Sequence, residues 1–466
     1  MLFDKEKFCE FISNVKNPKS GSYSIISYTQ TINYQDFLRA QEILNSKQKF
    51  FYWSFPKEKY SFIACGQVFR NSYGDSQKFN LVDQDFMKIS TSVLTNRNAN
   101  IDSKHPLFVA GIKFPSNKKE SIWNDFETSN WFIPKILLLK SGDEHYLSVN
   151  LKLPCENERK YSEEIEQFLS PHYPVSGINS DYTGNNIKRH DIIPPGKIEE
   201  WNSQINAALK IISDGKVKKI VLARTIEIDF RDQPDIVPIL KQLESNYNNC
   251  YTFAFKEEKS VFFGASPERL FKIQNGFVEI DALAGSINRG HGEDDDKSLE
   301  NTLLNDMKNL EEHKNVLDFV INRLLPLSEK ILFDSKPLIK KFSNIQHLHS
   351  RIRAKLRKGV TVFSLFENIY PTPAVCGYPQ NIALEAINNL EKFERGLYGG
   401  AIGWLNKTNC EFAVGIRSAI LSMNKLRCYA GCGIVNGSDP ASEFNETALK
   451  LKPILSLFEN ETFSKS

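Results

Sequence analysis

The chain has 466 residues, 59 of them basic and 56 acidic, for a net charge of +3. This is enough to bury a large core, in one large domain or two or three ordinary ones, and the balanced charge gives no electrostatic footprint for nucleic acid or an acidic membrane. Small-molecule chemistry is the expectation, with no nucleic-acid and no membrane partner.

Eight cysteines, at 9, 65, 155, 250, 376, 410, 428 and 432, are scattered with no CxxC pair and no histidine at ligand spacing, which indicates neither a zinc site nor a disulfide framework. The N-terminal run MLFDKEKFCEFISNVKN is charged throughout and lacks an apolar h-region. No uninterrupted apolar run is long enough to span a bilayer, so a cytoplasmic protein with reduced thiols is expected.

Residues 1 to about 190 read as short β-type runs, YSIISY, FFYWSF, YSFIACGQVF, HPLFVAGIKF, WFIPKILLLK and HYLSVNLKL, separated by polar turns. They predict antiparallel sheet with occasional helices, the aromatic density of Phe50 to Trp53 serving core packing. A polar connection, GINSDYTGNNIKRHDIIPPGK at 177–197, marks a shift of composition. Beyond it Trp201, Ile205, Ala208, Leu209 and Ile212 recur at helical spacing with Gly215 as the stop, and KKIVLARTIEIDF follows as a buried strand with Lys219 at its entrance. A lysine there ordinarily anchors at the surface with its stem along the sheet.

Three β runs are expected between 250 and 290, with Glu268 in the SPER turn after an apolar strand. Desolvation there raises a carboxyl pKa, as a general acid needs; a salt bridge to Arg269 is the plainer alternative. The acidic HGEDDD at 291–296 reads as a solvated loop, and 298–326 as one long amphipathic helix carrying Lys308 and Glu312 at i, i+4. His347 and His349 are expected on opposite sides of an extended segment, against joint metal ligation. YPTPAVCGYP at 370–379 is a rigid loop, and LYGGAIGWL and EFAVGIRSAIL form a hairpin of buried strands. Arg417 interrupts the second strand and needs an anionic partner, a bound carboxylate being one candidate.

The last stretch, YAGCGIVNGSDPASEFNETALK at 429–450, turns through glycines and enters a helix with Asp439 as cap and Pro440 at its first position. Glu443, Glu446 and Lys450 then share one helix face. Such a trio is either a minor surface ion-pair ladder or, beside a glycine-rich turn, a set that holds a hard divalent cation and a carboxylate substrate.

Together KKIVLAR, FFGASPERL, ALAGS, the EEH helix, QHL, YPTPAVCG, ERGLYGGAIGW, FAVGIRSA and AGCGIVNGSDPASEFNET resemble, in order and spacing, the signature of the chorismate-utilising enzymes. The resemblance covers about residues 196 to 458. It implies an α/β fold of the α+β type, a single structural domain of two large packed antiparallel sheets with outer helices. Residues 1–195 would be a divergent part contributing strands, and 196–460 the catalytic core. It also implies Mg²⁺ as cofactor, with Glu312 and Glu446 as ligands and Glu443 beside them, direct or through water. Arg417 would hold the enolpyruvyl carboxylate. Lys450 and backbone amides near Gly285, Ser286 and Gly433 would take the other anionic oxygens, and His347 and Tyr429 would line the substrate.

Within the resemblance, Lys219 as base and Glu268 as acid fit isochorismate formation, in which water attacks ring carbon 2 as the carbon 4 hydroxyl leaves. That chemistry needs a lysine with a depressed pKa and a glutamate with a raised one. Anthranilate synthases typically have Gln where Lys219 stands, and aminodeoxychorismate synthases a nucleophilic Lys where Ala284 stands. Salicylate synthases share the base but usually have Arg where Tyr429 stands. Ile287 and Asn309 depart from the Arg and Asp of many relatives. The expectation is a Mg²⁺-dependent isochorismate synthase serving menaquinone or siderophore synthesis, a monomer acting on chorismate without a glutaminase subunit. Salicylate synthase and a non-catalytic chorismate-binding subunit are the alternatives.

Overall fold

Long apolar strands that are buried on both faces need two packed layers to cover them, and this chain supplies them as two sheets. The computed structural model describes residues 3–15, 18, 23–41, 49–74, 79–155, 157–169, 187–188, 196–342 and 345–458. Among these, thirteen strands form one sheet and ten the other. The boundary at 195, most of the polar connection before it and residues 459–460 lie outside the described residues.

In the larger sheet Lys219–Phe230 pairs with Lys425–Ile434, followed by Ser418–Ser422, Ser260–Ser266 and Tyr251–Glu257. The sheet continues into Phe50–Phe55, Tyr60–Cys65, Ile136–Ser141, Glu144–Leu153 and Ser24–Thr31. In the smaller sheet Ile345–Leu356, Phe277–Asn288, Arg269–Gln274, Cys410–Val414 and Ala401–Leu405 are followed by Phe108–Ile112 and Ser129–Ile133. Strands from before residue 195 therefore extend both sheets. Pairing is antiparallel apart from Ser24–Thr31 against Val93–Thr95. Phe51 and Trp53 are fully buried in an aromatic layer between the sheets, as core packing required. No helix among the described residues is long and apolar enough to cross a membrane.

The chain passes from sheet to sheet at two neighbouring places. Pro267 and Glu268 join Ser260–Ser266 to Arg269–Gln274, and Gly415 to Arg417 join Cys410–Val414 to Ser418–Ser422. The two crossings are tied together: Val414 N donates to Glu268 O at 3.0 Å, Ala265 N to Arg417 O at 3.1 Å, and Ser266 Oγ to Val414 O at 2.6 Å. Gly264 permits this approach, since a Cβ there would lie 2.5 Å from Arg417 O.

Several sequence expectations need correction. Four strands, not three, fill 250–290. The expected helix over 298–326 is two, Glu293–Asn305 and Met307–Leu324, because Asp306 takes an extended conformation and caps the second by accepting from Asn309 N at 2.8 Å. The acidic run at 291–296 is not a solvated loop: it enters the first of these helices, and buried Asp296 binds Arg289 Nε at 2.6 Å and Lys341 Nζ at 2.9 Å. Arg417 lies at a corner between two strands with φ of 51°, not inside one strand. His347 and His349 share a face of Ile345–Leu356, since strand side chains two apart point the same way. Their partners differ, however: Ser286 for His347 and Asp281 for His349.

Candidate active site

The two crossings, the entrance of Lys219–Phe230 and the helices Met307–Leu324 and Pro440–Leu455 enclose a cavity of about 290 Å³. Lys219, Glu268, Gly285, Ser286, Glu312, His347, Arg417, Tyr429, Gly433, Glu443, Glu446 and Lys450 all line it. Residues spread over more than 230 positions of sequence are thus gathered at one place.

Lys219 Nζ donates to Glu312 Oε1 at 2.7 Å across Gly433. A Cβ on residue 433 would stand 2.4 Å from Lys219 Cε, so the bare strand makes room for this side chain. Glu268, in the other wall, is buried, and desolvation pushes its carboxyl up to about 7 against the pull of Lys219 and Lys450. The alternative partner is engaged elsewhere: Arg269 pairs with Glu279 and Asp281, each at 3.5 Å.

The C-terminal helix begins as its sequence dictates, with Asp439 Oδ2 accepting from Ser442 N at 2.8 Å and Pro440 in the first turn. Glu443, Glu446 and Lys450 line the cavity and do not point from the outer face of this helix. Glu446 Oε1 is 2.6 Å from Lys450 Nζ, which also donates to Gly431 O at 3.0 Å. Against the push of burial, the Lys450 ammonium holds the Glu446 carboxyl below its usual range. Glu443 is raised, by burial first and with Glu446 adding to it, and its Oε2 has no hydrogen-bond partner among the described residues.

Arg417 is buried with no carboxylate within salt-bridge distance among the described residues, and burial lowers its guanidinium pKa. An arginine so placed is suited to bidentate capture of an anionic ligand. His347 is held well below its usual value by burial, helped by Arg417 and Lys450, and its Nδ1 is 2.6 Å from Ser286 Oγ. A neutral imidazole results. The amide of Ser286 donates to Asn309 Oδ1 at 3.2 Å. Tyr429 lines the cavity with its ring stacked 5.1 Å from Tyr398, while its hydroxyl accepts from Trp123 Nε1 at 3.0 Å. The carboxylates do not stand as a ready-made cluster: no group of three His, Cys, Asp or Glu side chains among the described residues could hold a metal as arranged.

Sequence reasoning gave no role to Tyr398, Cys432 or Asn309, all of which line the cavity. Tyr398 and Cys432 sit inside the glycine-rich runs LYGG and AGCG, where the glycine spacing is the local signal and nothing in the sequence marks the neighbouring side chains. Asn309, which departs from the Asp of many relatives, fastens the Gly285–Ser286 bend to the helix of Glu312.

The chorismate binding enzyme family model matches residues 10–459. The chain belongs to this family. The match spans the N-terminal strands as well as the motif-bearing part. The enzyme is 32% identical over 423 residues to isochorismate synthase MenF of Bacillus subtilis, with 88% of each chain covered. It is 28% identical over 420 residues to the salicylate biosynthesis isochorismate synthase of Pseudomonas aeruginosa, covering 86% of this chain and 83% of that one. The structure of MenF, the menaquinone-specific isochorismate synthase from Escherichia coli, superposes with a TM-score of 0.79 over 98% of this chain and 99% of that one at 23% identity. This chorismate-binding enzyme therefore has the mixed α/β fold of two large sheets with helices.

Proposed function

We propose that this chorismate-binding enzyme is an isochorismate synthase, with Lys219 and Glu268 as its proton-transfer pair. Water attacks ring carbon 2 of chorismate, both ring double bonds migrate, and the carbon 4 hydroxyl departs. The attacking water must lose a proton and the leaving hydroxyl must gain one. Lys219 takes the first and Glu268 gives the second. The observation that carries this reading is a buried carboxyl pushed up to about 7 in the same cavity as a lysine amine, two proton handlers with different environments. Arg417, a buried guanidinium with no carboxylate at salt-bridge distance among the described residues, receives the enolpyruvyl carboxylate; Lys450 supports the remaining anionic oxygens.

The oxygen donors of Glu443 and Glu446 fit a hard cation. One has an unpartnered buried oxygen, each carboxylate raises the electrostatic cost of the other, and Mg²⁺ ordinarily takes one or two carboxylates and keeps several waters. Glu443 and Glu446 would hold Mg²⁺, with Glu312 joining them when released from Lys219. The ion supplies, when bound, positive charge against the ring carboxylate. To accept a proton Lys219 must reach the step as the neutral amine, with its lone pair turned to the attacking water.

Water as nucleophile requires no ammonia source, so we assign no glutaminase subunit to the chain; that one chain lines the cavity supports its acting as a monomer. Its eight free thiols accord with the cytoplasm. Residues 1–195 act as a sheet-extending part and 196–460 as the catalytic core. Chromatography of chorismate incubated with the enzyme and Mg²⁺ tests the assignment. Isochorismate is the expected product; salicylate with pyruvate would make it a salicylate synthase, and untouched chorismate would remove the enzymatic reading.

A further inference from the structure

Arg224 lies on the same strand as Lys219, five residues along, and so projects to the opposite face. Its Nε donates to Thr447 Oγ1 at 2.6 Å and its Cζ lies 4.0 Å from the centre of the Phe444 ring. Thr447 is fully buried, and its hydroxyl passes the chain on by donating to Phe444 O at 2.7 Å. No carboxylate stands within salt-bridge distance of Arg224 among the described residues, and its buried Nη2 has no partner. Charge pairing does not explain the residue, which is half-buried; a guanidinium nitrogen buried without a hydrogen bond costs stability unless the other contacts of the side chain offset it. Both contacts are to one helix, at the residues immediately following Glu443 and Glu446.

We infer that Arg224 is a positioning residue that fixes the rotation of the C-terminal helix about its axis, and thereby the direction in which Glu443 and Glu446 present their oxygens. The inference rests on the reading of those two carboxylates as cation ligands. Phe444 and Thr447 are three apart and form one helix face, and Glu443 and Glu446 form the next face around. Holding the first face fixes the second. A rotation of about 10° moves a group about 6 Å from the axis by about 1 Å, whereas metal–oxygen distances are kept to within about 0.2 Å. Small slippage of this helix is therefore enough to spoil a cation site while leaving the packing intact.

The test uses the full-length protein and Mn²⁺, with free Mn²⁺ followed by electron paramagnetic resonance in the absence of chorismate. Thr447→Val keeps the shape and removes the acceptor; Arg224→Gln removes the cation and its fork; Arg224→Lys keeps charge over Phe444 without the Nε bond. Expected is roughly tenfold weaker Mn²⁺ binding in Thr447→Val and Arg224→Gln, partial recovery in Arg224→Lys, and no further loss in the Arg224→Gln/Thr447→Val double variant. At saturating Mg²⁺ the Thr447→Val variant should recover most of kcat. Wild-type Mn²⁺ affinity in a folded Thr447→Val protein, whatever its Tm, would overturn the positioning role. Failure of the wild-type protein itself to bind Mn²⁺ would overturn the carboxylate reading beneath it.

Discussion

Replacing Gly433 with alanine adds one methyl group at the point where the site has no room for it. The new Cβ would meet Lys219 Cε at 2.4 Å and Nζ at 3.0 Å, and Glu312 Oε1 at 3.4 Å. Carbon atoms in favourable contact are about 3.5–4.0 Å apart, so the end of the lysine must retreat by about 1 Å or swing to another rotamer. The obstacle is the tip of a flexible side chain, not backbone, which keeps the cost to stability small. A displacement of that size in a reacting group is worth on the order of 10²-fold in rate. Steady-state assay of isochorismate formation should therefore show kcat down about a hundredfold in Gly433→Ala. Circular dichroism and Tm should remain close to those of the parent, with the loss in kcat and not in KM. A variant with full turnover would refute the reasoning, because it would mean that the amine at this position is not poised against the substrate.

Glu268→Gln should abolish turnover yet stabilise the fold. Glu268 titrates near 7 in the folded chain and at about 4.5 when unfolded, so its burial is without penalty below about pH 4.5 and costs progressively more up to about pH 7. The 2.5-unit difference is worth about 3 kcal/mol at pH 8, observable as a higher denaturation midpoint for the glutamine variant; an unchanged midpoint contradicts the assignment. The same titration predicts that wild-type kcat/KM falls about tenfold per pH unit above roughly 7, and a rate that stays level from pH 7 to 9 would contradict the acid role. Arg417→Lys retains charge but loses the planar fork, and KM for chorismate should rise about 10- to 100-fold with kcat less affected; an unaltered KM would free Arg417 from substrate binding. Glu446→Gln should raise the Mg²⁺ concentration needed for half-maximal rate by at least tenfold, read from a metal titration, and equal Mg²⁺ demand would exclude it as a ligand.

Much of the fold was legible because its strands are long and apolar, and because Asp439-Pro440 announces a helix start that the structure shows hydrogen bond for hydrogen bond. The shared helix face of Glu443, Glu446 and Lys450 followed from spacing alone, and that face lines the cavity. What spacing does not carry is where a chain leaves one sheet for another. Around Arg417 the sequence is apolar on both sides, so a corner reads as a continuous strand; only the pairing of its flanks with different sheets reveals it. Asp306 looks like one more polar position in an amphipathic run, yet its side chain serves the next helix as cap. Asp296 looked solvated because Lys341, one of its partners, arrives from 45 residues away. The stacked pair of Tyr398 and Tyr429 is likewise a tertiary contact, invisible to local pattern. Arg224 sits inside the KKIVLAR run, and what it does depends on Phe444 and Thr447, more than 200 positions away.

The most direct measurement of the central claim is the origin of the oxygen on ring carbon 2. With the reaction run in ¹⁸O-labelled water and the product isolated for mass spectrometry and carbon NMR, one solvent oxygen should appear in each isochorismate, bonded to carbon 2. Product that carries the unlabelled oxygen of chorismate at that carbon would mean that the hydroxyl migrates within the ring, and the division of labour between Lys219 and Glu268 would be wrong.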